Sequence, residues 1–81
     1  MSNENHEVVI TVNERPVAVL GPRTTGRKIK ESAIQQGVQI GVDFVLSEEL
    51  ENNRTRIVGD DDEITVNKHS KFVAVAPDDN S

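Results

Sequence analysis

One segment of this chain, residues 24–37, has the sequence pattern of a helix, and it lies between apolar runs that alternate as strands do. Thr24 or Thr25 offers a hydroxyl oxygen as N-cap, and Gly37 suits the left-handed position just past the end. Between these limits the apolar residues form one narrow stripe: Ile29, Ala33 and Ile34. A stripe of this width must be covered, so we expect a single helix packed on a sheet.

The polar side of this helix is basic near its N-terminus. We expect it to face solvent or a partner, and its residues are Arg27, Lys28, Lys30 and Glu31, with Arg23 just before. The helix dipole disfavours cations at this end, although Arg27 has Glu31 four residues later as a compensating partner. Two interpretations stay open, a solvated helix face or a docking site for an acidic partner through Arg27 and Lys28.

The strands are predicted from alternation and from turn residues. They cover residues 7–13, 16–20, 43–47, 54–58 and 72–76, with Ile64 and Val66 holding a charged excursion to the core. The last strand is apolar at every position, which is typical of a strand in the middle of a sheet. We therefore expect it between the first and third strands, parallel to the first.

This order predicts an α+β fold of the β-grasp type, with a four- to five-stranded mixed sheet crossed by one helix. A small open barrel is the alternative. At 81 residues the chain has room for one domain, for which we expect residues 7–76. Residues 1–6 are expected to form a disordered arm and residues 77–81 a flexible tail.

Composition excludes several classes of function. The chain has no cysteine, no apolar run of membrane-spanning length and no signal-peptide pattern, so we expect a cytoplasmic protein. A net charge of −5 and only two aromatic residues argue against binding to nucleic acid or to an acidic membrane surface.

The sequence also gives no support for an enzyme or a metal site. The acidic run 60–63 lacks the ligand spacing of a calcium loop. His6 and His69 stand apart, each among polar residues and without the spacing of a catalytic triad or a zinc site. We expect no cofactor and no catalytic residues.

Four segments together resemble the bacterial multiubiquitin family, whose members are ubiquitin-like β-grasp domains. They are VVITVNERPVAVL, TTGRKIKESA, RIVGDDDEITV and FVAVAP, and they cover nearly all of residues 7–77. The resemblance implies a protein modifier that works with an E1-like activating enzyme, an E2-like conjugating enzyme and a tail-processing or deconjugating peptidase. Lysines at positions 28, 30, 68 and 71 are candidate acceptors for self-linkage.

In such a modifier the chemistry lies in the C-terminal carboxylate. The corresponding tail residues are Asp78, Asp79, Asn80 and Ser81, and residues 77–81 would span about 15–17 Å if extended. The better-known relatives end in two glycines, whereas no glycine follows Gly59 here, so we expect no sulfur-carrier role of the type that needs that ending. Three accounts stay open: a peptidase trims the tail, the partner enzymes accept it as it stands, or this copy is not conjugated.

A second candidate site lies on the sheet face away from the helix, where we expect Val45, Val73 and Val75 to form an exposed aliphatic cluster. In ubiquitin-like proteins a similar small apolar patch is the usual recognition surface. The alternative function is therefore a non-covalent binding module that uses this face. Scattered surface valines without any role are the competing interpretation.

Overall fold

The computed structural model describes residues 6–77, which form two sheets and one α-helix. The elements in chain order are β1 (His6–Val12), β2 (Arg15–Gly21), β3 (Arg23–Thr25), α1 (Gly26–Gln35), β4 (Val45–Glu49), a 3-10 turn (Glu51–Asn53), β5 (Thr55–Val58), β6 (Glu63–Thr65) and β7 (Lys71–Val75). The first strand thus begins at His6, one residue earlier than predicted. The rest of the predicted N-terminal arm and the tail residues 78–81 lie outside the described residues.

The main sheet has the strand order β2-β1-β7-β4-β5, with β7 at its centre. β7 runs parallel to β1 and antiparallel to β4, and α1 packs over one face. The predicted β-grasp arrangement is confirmed, including the insertion of the last strand between the first and the third of the predicted strands. The apolar run at residues 72–76 predicted this central place. The outer face of β7 is nevertheless not covered, since Val75 is 52% exposed.

A two-residue turn sets the register of the first hairpin. Val12 is opposite Arg15, and the intervening Asn13 and Glu14 have φ angles of 51° and 67°. Positive φ at both central positions is the geometry that matches the twist of two antiparallel strands. The turn therefore keeps Val8, Ile10 and Val12 on the buried side of the sheet.

A second, two-stranded sheet joins β3 to β6 and was not predicted from the sequence. Each strand has only three residues, which is too short for an alternation pattern to appear. Ile64 in β6 packs against the core and Val66 is buried, as expected. The charged excursion after β5 is thereby tied to the start of the helix.

The helix is shorter than its sequence pattern, and one residue of the predicted stripe is not covered. Thr25 is the N-cap, and its hydroxyl oxygen accepts a hydrogen bond from the Lys28 N–H at 3.2 Å. Ile29 and Ala33 are fully buried, but Ile34 is 39% exposed. The buried face of α1 therefore consists of Gly26, Ile29, Lys30 and Ala33 and does not include Ile34.

The core lies between α1 and the inner face of the main sheet. Its buried apolar residues are Val8, Ile10, Val12, Val17, Val19, Ile29, Ala33, Val38, Leu46, Val58, Val66, Phe72 and Ala74. Among residues 6–77, no helix is long and apolar enough to cross a membrane.

Candidate protein-recognition surface

The three predicted valines do lie together on the outer face of the main sheet. Val45 in β4 is directly opposite Val75 in β7, and Val73 is the next β7 residue on the same face. Val45 is 38% exposed and Val75 is 52% exposed, while Val73 is half-buried. Their inward neighbours Leu46 and Ala74 are buried, so the alternation of both strands leaves these valines uncovered.

A fourth residue, Ile57 in β5, extends this cluster and was missed in the sequence. Ile57 is opposite Ser47, which is in turn opposite Val73, and its side chain is 70% exposed. The available signal was that Ile57 and Val58 are adjacent apolar residues of one strand, so one of them has to lie on the outer face. The structure buries Val58 and exposes Ile57. Val45, Ile57, Val73 and Val75 are called the apolar patch below.

Polar residues border the apolar patch at one end. Lys71 in β7 is opposite Glu49 in β4 and has Thr11 of β1 on its other side. A shallow groove of about 550 Å³ opens at this border, between Val73 and the β1–β2 turn. An apolar centre with a charged rim is the usual composition of a protein–protein contact surface.

A separate group of apolar residues lies on the same face, beyond the polar border formed by Thr11 and Lys71. Val9 in β1 is 51% exposed and is opposite Ala18 of β2, while Leu20 in β2 is 65% exposed. Because Thr11 is level with Lys71, Val73 is level with Asn13, four residues along β1 from Val9. Four strand residues correspond to about 13 Å, so this group is distinct from the apolar patch.

The predicted basic residues do not form one cluster. Arg27 donates to Glu31 at 3.2 Å, as the i,i+4 spacing indicated, and Arg23 pairs with Glu63. Arg27 and Lys28 are exposed on α1, which packs on the inner face of the sheet. The sheet therefore separates them from the apolar patch, and a single small contact cannot include both.

The prediction that Lys30 faces solvent or a partner is wrong. It is only 4% exposed, and its Nζ donates to the Val42 oxygen at 2.7 Å and the Phe44 oxygen at 2.8 Å. The same ammonium lies 2.8 Å from Oδ1 of Asp60. Three acceptors match its three protons, which makes burial of the charge acceptable. As long as the fold is intact, Lys30 is not accessible as an acceptor for self-linkage.

This contact also changes the acidity of Asp60. The hydrogen bond from Lys30, together with the positive charges of Lys30 and Arg27, lowers the pKa of the Asp60 carboxyl despite some opposing desolvation. The ionised carboxylate is favoured because it is the form that accepts the ammonium proton. The buried lysine thus joins α1, the segment before β4 and the acidic turn after β5.

The tail residues of the predicted conjugation site, Asp78, Asp79, Asn80 and Ser81, lie outside the described residues. What is described is the point from which they follow: β7 ends at Val75, within the apolar patch, and the chain continues through exposed residues to Pro77. Within residues 6–77, no group of three or more His, Asp or Glu side chains is placed to hold a metal ion.

A protein-family model described as Multiubiquitin matches residues 8–78. No curated protein and no solved structure matches the chain significantly. The match spans nearly the whole described fold, a mixed five-stranded sheet crossed by one helix. On this basis the chain belongs to the multiubiquitin family of ubiquitin-like β-grasp domains.

Proposed function

We propose that this protein is a ubiquitin-like modifier that is activated at the C-terminal carboxylate of its mature form and transferred to a target protein. An E1-like enzyme would catalyse attack of the carboxylate on the α-phosphate of ATP, which gives an acyl adenylate and releases pyrophosphate. An enzyme nucleophile then displaces AMP, and an E2-like enzyme passes the acyl group to a target amine. Because activation consumes ATP, we place this function in the cytoplasm.

One observation supports this proposal above the others. The chain leaves the domain directly from the apolar patch, because Val73 and Val75 belong to the patch and Pro77 is two residues further on. An enzyme that bound the patch would thereby hold the start of the tail near its own active site. The modifier needs no acid or base of its own, and its contribution is this coupling of a contact surface to a reactive terminus.

The tail itself sets one requirement on the partners. Asp78, Asp79, Asn80 and Ser81 all carry side chains, whereas a narrow channel made for glycine would admit none of them. We propose that a peptidase removes part of this segment, or that the activating enzyme has a wider channel with basic groups facing the two aspartates.

The test is intact-mass spectrometry of the protein from cells that carry its native neighbouring genes, combined with an immunoblot for species of higher mass. We expect adducts that disappear when the chain is truncated after Pro77, and a free pool whose mass names the mature terminus. An untruncated protein without adducts, in cells where the neighbouring enzymes and ATP are functional, would exclude conjugation.

The second candidate function is a non-covalent binding module, and the apolar patch is the observation that favours it. Truncation after Pro77 separates the two functions, because it removes transfer and leaves binding through the patch intact. Val73→Asp should weaken both. Arg27 and Lys28, on the opposite side of the domain, are proposed as a second, independent docking point for an acidic partner, and a solvated helix face is the alternative.

A further inference from the structure

The edge strand β2 is closed by a single side chain. The Ala18 N–H donates to Oε1 of Gln36 at 2.9 Å, and Nε2 of Gln36 donates to the Ala18 oxygen at 2.8 Å. These two bonds are the pair that a neighbouring strand would make with Ala18. The carboxamide of Gln36 therefore occupies the position of one residue of a further strand at this edge of the sheet.

Gln36 is held in this position by the end of the helix. It is the C-cap of α1, and its backbone N–H bonds to the oxygens of Ser32 and Ala33, each at 3.1 Å. With its backbone fixed, only the rotation of the side chain has to be restricted for the two bonds to Ala18 to form. We call the pair of bonds between Gln36 and Ala18 the glutamine clamp.

The β2 edge lacks most other protection against pairing. Residues 16–21 carry no charge, and Leu20 is 65% exposed. Natural edge strands are usually interrupted by charged side chains, by bulges or by proline, because an apolar edge with free backbone groups pairs readily with another chain. In β2 the protective residues are Arg15 and Pro16, both at its start, and Pro16 lacks a backbone N–H but keeps its oxygen as an acceptor.

A second copy of the same strand would fit this edge. We propose that β2 is a pairing surface for a second copy of this chain and that the glutamine clamp keeps it closed. In an antiparallel pair centred on Ala18, the two copies of Ala18 exchange two bonds. Each Leu20 N–H then donates to the Pro16 oxygen of the other copy. Pro16 has no N–H to donate to the Leu20 oxygen of the other copy, so this register forms four bonds between the strands instead of six. No two charges face each other along residues 16–20.

The hydrogen-bond count explains why the clamp controls the pairing. The dimer forms four bonds between strands, and it must first release four bonds, two from each clamp. The intact protein therefore gains no hydrogen bonds to offset the entropy of association. Without Gln36 the four new bonds replace contacts with water alone. We expect the dissociation constant of the dimer to fall by at least about 30-fold, the value of the four clamp bonds at the low end of what a hydrogen bond contributes.

Gln36→Ala tests the proposal, with Gln35→Ala as the matched control. Gln35 is the same residue type, one position earlier on α1, and it lines the groove beside β2. Sedimentation velocity over a wide range of concentrations should show a monomer–dimer equilibrium for Gln36→Ala and monomers for the wild type and Gln35→Ala. Because the net charge of −5 opposes association, added salt should strengthen the dimer.

A second variant tests whether the dimer forms through the edge of β2. Adding Ala18→Pro to Gln36→Ala removes the edge-facing N–H, which β1 does not use, so the dimer should be lost while the circular dichroism spectrum stays that of a folded protein. A dimer that survives Ala18→Pro would overturn the proposal. So would a folded Gln36→Ala that stays monomeric, or an Ala18 amide that exchanges hydrogen equally fast in dilute wild type and Gln36→Ala.

Discussion

The side chain of Asn13 pairs with the backbone of Ala74 as a strand residue would. Its Oδ1 accepts from the Ala74 N–H at 2.8 Å, and its Nδ2 donates to the Ala74 oxygen at 3.1 Å. The backbone N–H of Asn13 donates to the Phe72 oxygen at 3.0 Å. The parallel contact between β1 and β7 has only two registered residue pairs, so Asn13 extends it at the point where β1 turns away.

Replacing Asn13 should therefore destabilise the protein more than its place in a turn indicates. Asn13→Gly keeps the backbone free to adopt a positive φ but removes both bonds to Ala74. We expect the free energy of unfolding, measured with urea, to fall by about 1–2 kcal/mol. Glu14→Gly is the control, because Glu14 has a φ of 67° and the substitution relieves strain there. An equal loss of unfolding free energy in both variants would mean that the turn conformation, and not the two bonds to Ala74, causes the effect.

The alternating strands, the caps of the helix and the central place of β7 could be predicted because each depends on residues close together in the sequence. The burial of Lys30 could not, since its three acceptors come from the segment before β4 and the turn after β5. The glutamine clamp could not be predicted either, because Gln36 and Ala18 are 18 residues apart in the sequence and come together only in the fold. The exposure of Ile57 could have been considered from the sequence, but a strand of four residues is too short for its alternation to show which face is buried.

Lys30 is expected to be the polar residue whose loss costs most. Lys30→Met keeps the apolar stem but leaves the Val42 and Phe44 oxygens and the Asp60 carboxylate without their donor. We expect a loss of about 2–3 kcal/mol in the free energy of unfolding. Lys28→Met, two residues earlier on the exposed side, should change it by less than about 0.5 kcal/mol. Similar values for the two variants would contradict the buried position of Lys30.

The Lys30–Asp60 pair also predicts how stability depends on pH. Because the fold lowers the pKa of Asp60, this contribution is fully present above the unfolded-state pKa of about 3.9 and is lost as pH falls through the lower, folded-state pKa. We expect the difference in urea midpoint between wild type and Asp60→Asn to be constant near neutral pH and to shrink below about pH 4. In a Lys30→Met background the shrinkage should become much smaller, because only the charge of Arg27 then lowers the pKa of Asp60. A difference that stays constant into strong acid would exclude the ion pair as its source.

Substitutions on the outer sheet face should distinguish the apolar patch from the apolar group around Val9. Ile57→Asp places a charge in the patch at little cost in stability, because Ile57 is 70% exposed. We expect it to reduce adduct formation, or capture of a non-covalent partner, by at least about tenfold. Val9→Asp, on the same face but about 13 Å along the strands from the level of Val73, is the matched control and should have little effect. Equal losses would mean that the whole face is in contact.

The start of the helix depends on a close approach that only glycine allows. A Cβ at Gly26 would lie 2.3 Å from the Gly59 oxygen. This oxygen belongs to the backbone and cannot move away by a side-chain rotation. Gly26→Ala should therefore push the acidic turn away from α1 and lower the free energy of unfolding by about 1–3 kcal/mol. Gly37→Ala is the control: a Cβ there meets nothing within 4 Å, and only the φ of 97° costs energy, about 1 kcal/mol.

Hydrogen exchange separates the two glycine variants even if their stabilities are alike. The Arg27 N–H donates to the Asp60 oxygen at 3.2 Å, across the gap that the new methyl group would widen. Its exchange should accelerate in Gly26→Ala beyond what the loss of global stability explains, and it should follow global stability in Gly37→Ala. If the Arg27 amide in Gly26→Ala is as well protected as the neighbouring amides, the acidic turn moves together with the helix. The close approach of Gly26 to Gly59 would then not determine the position of Asp60.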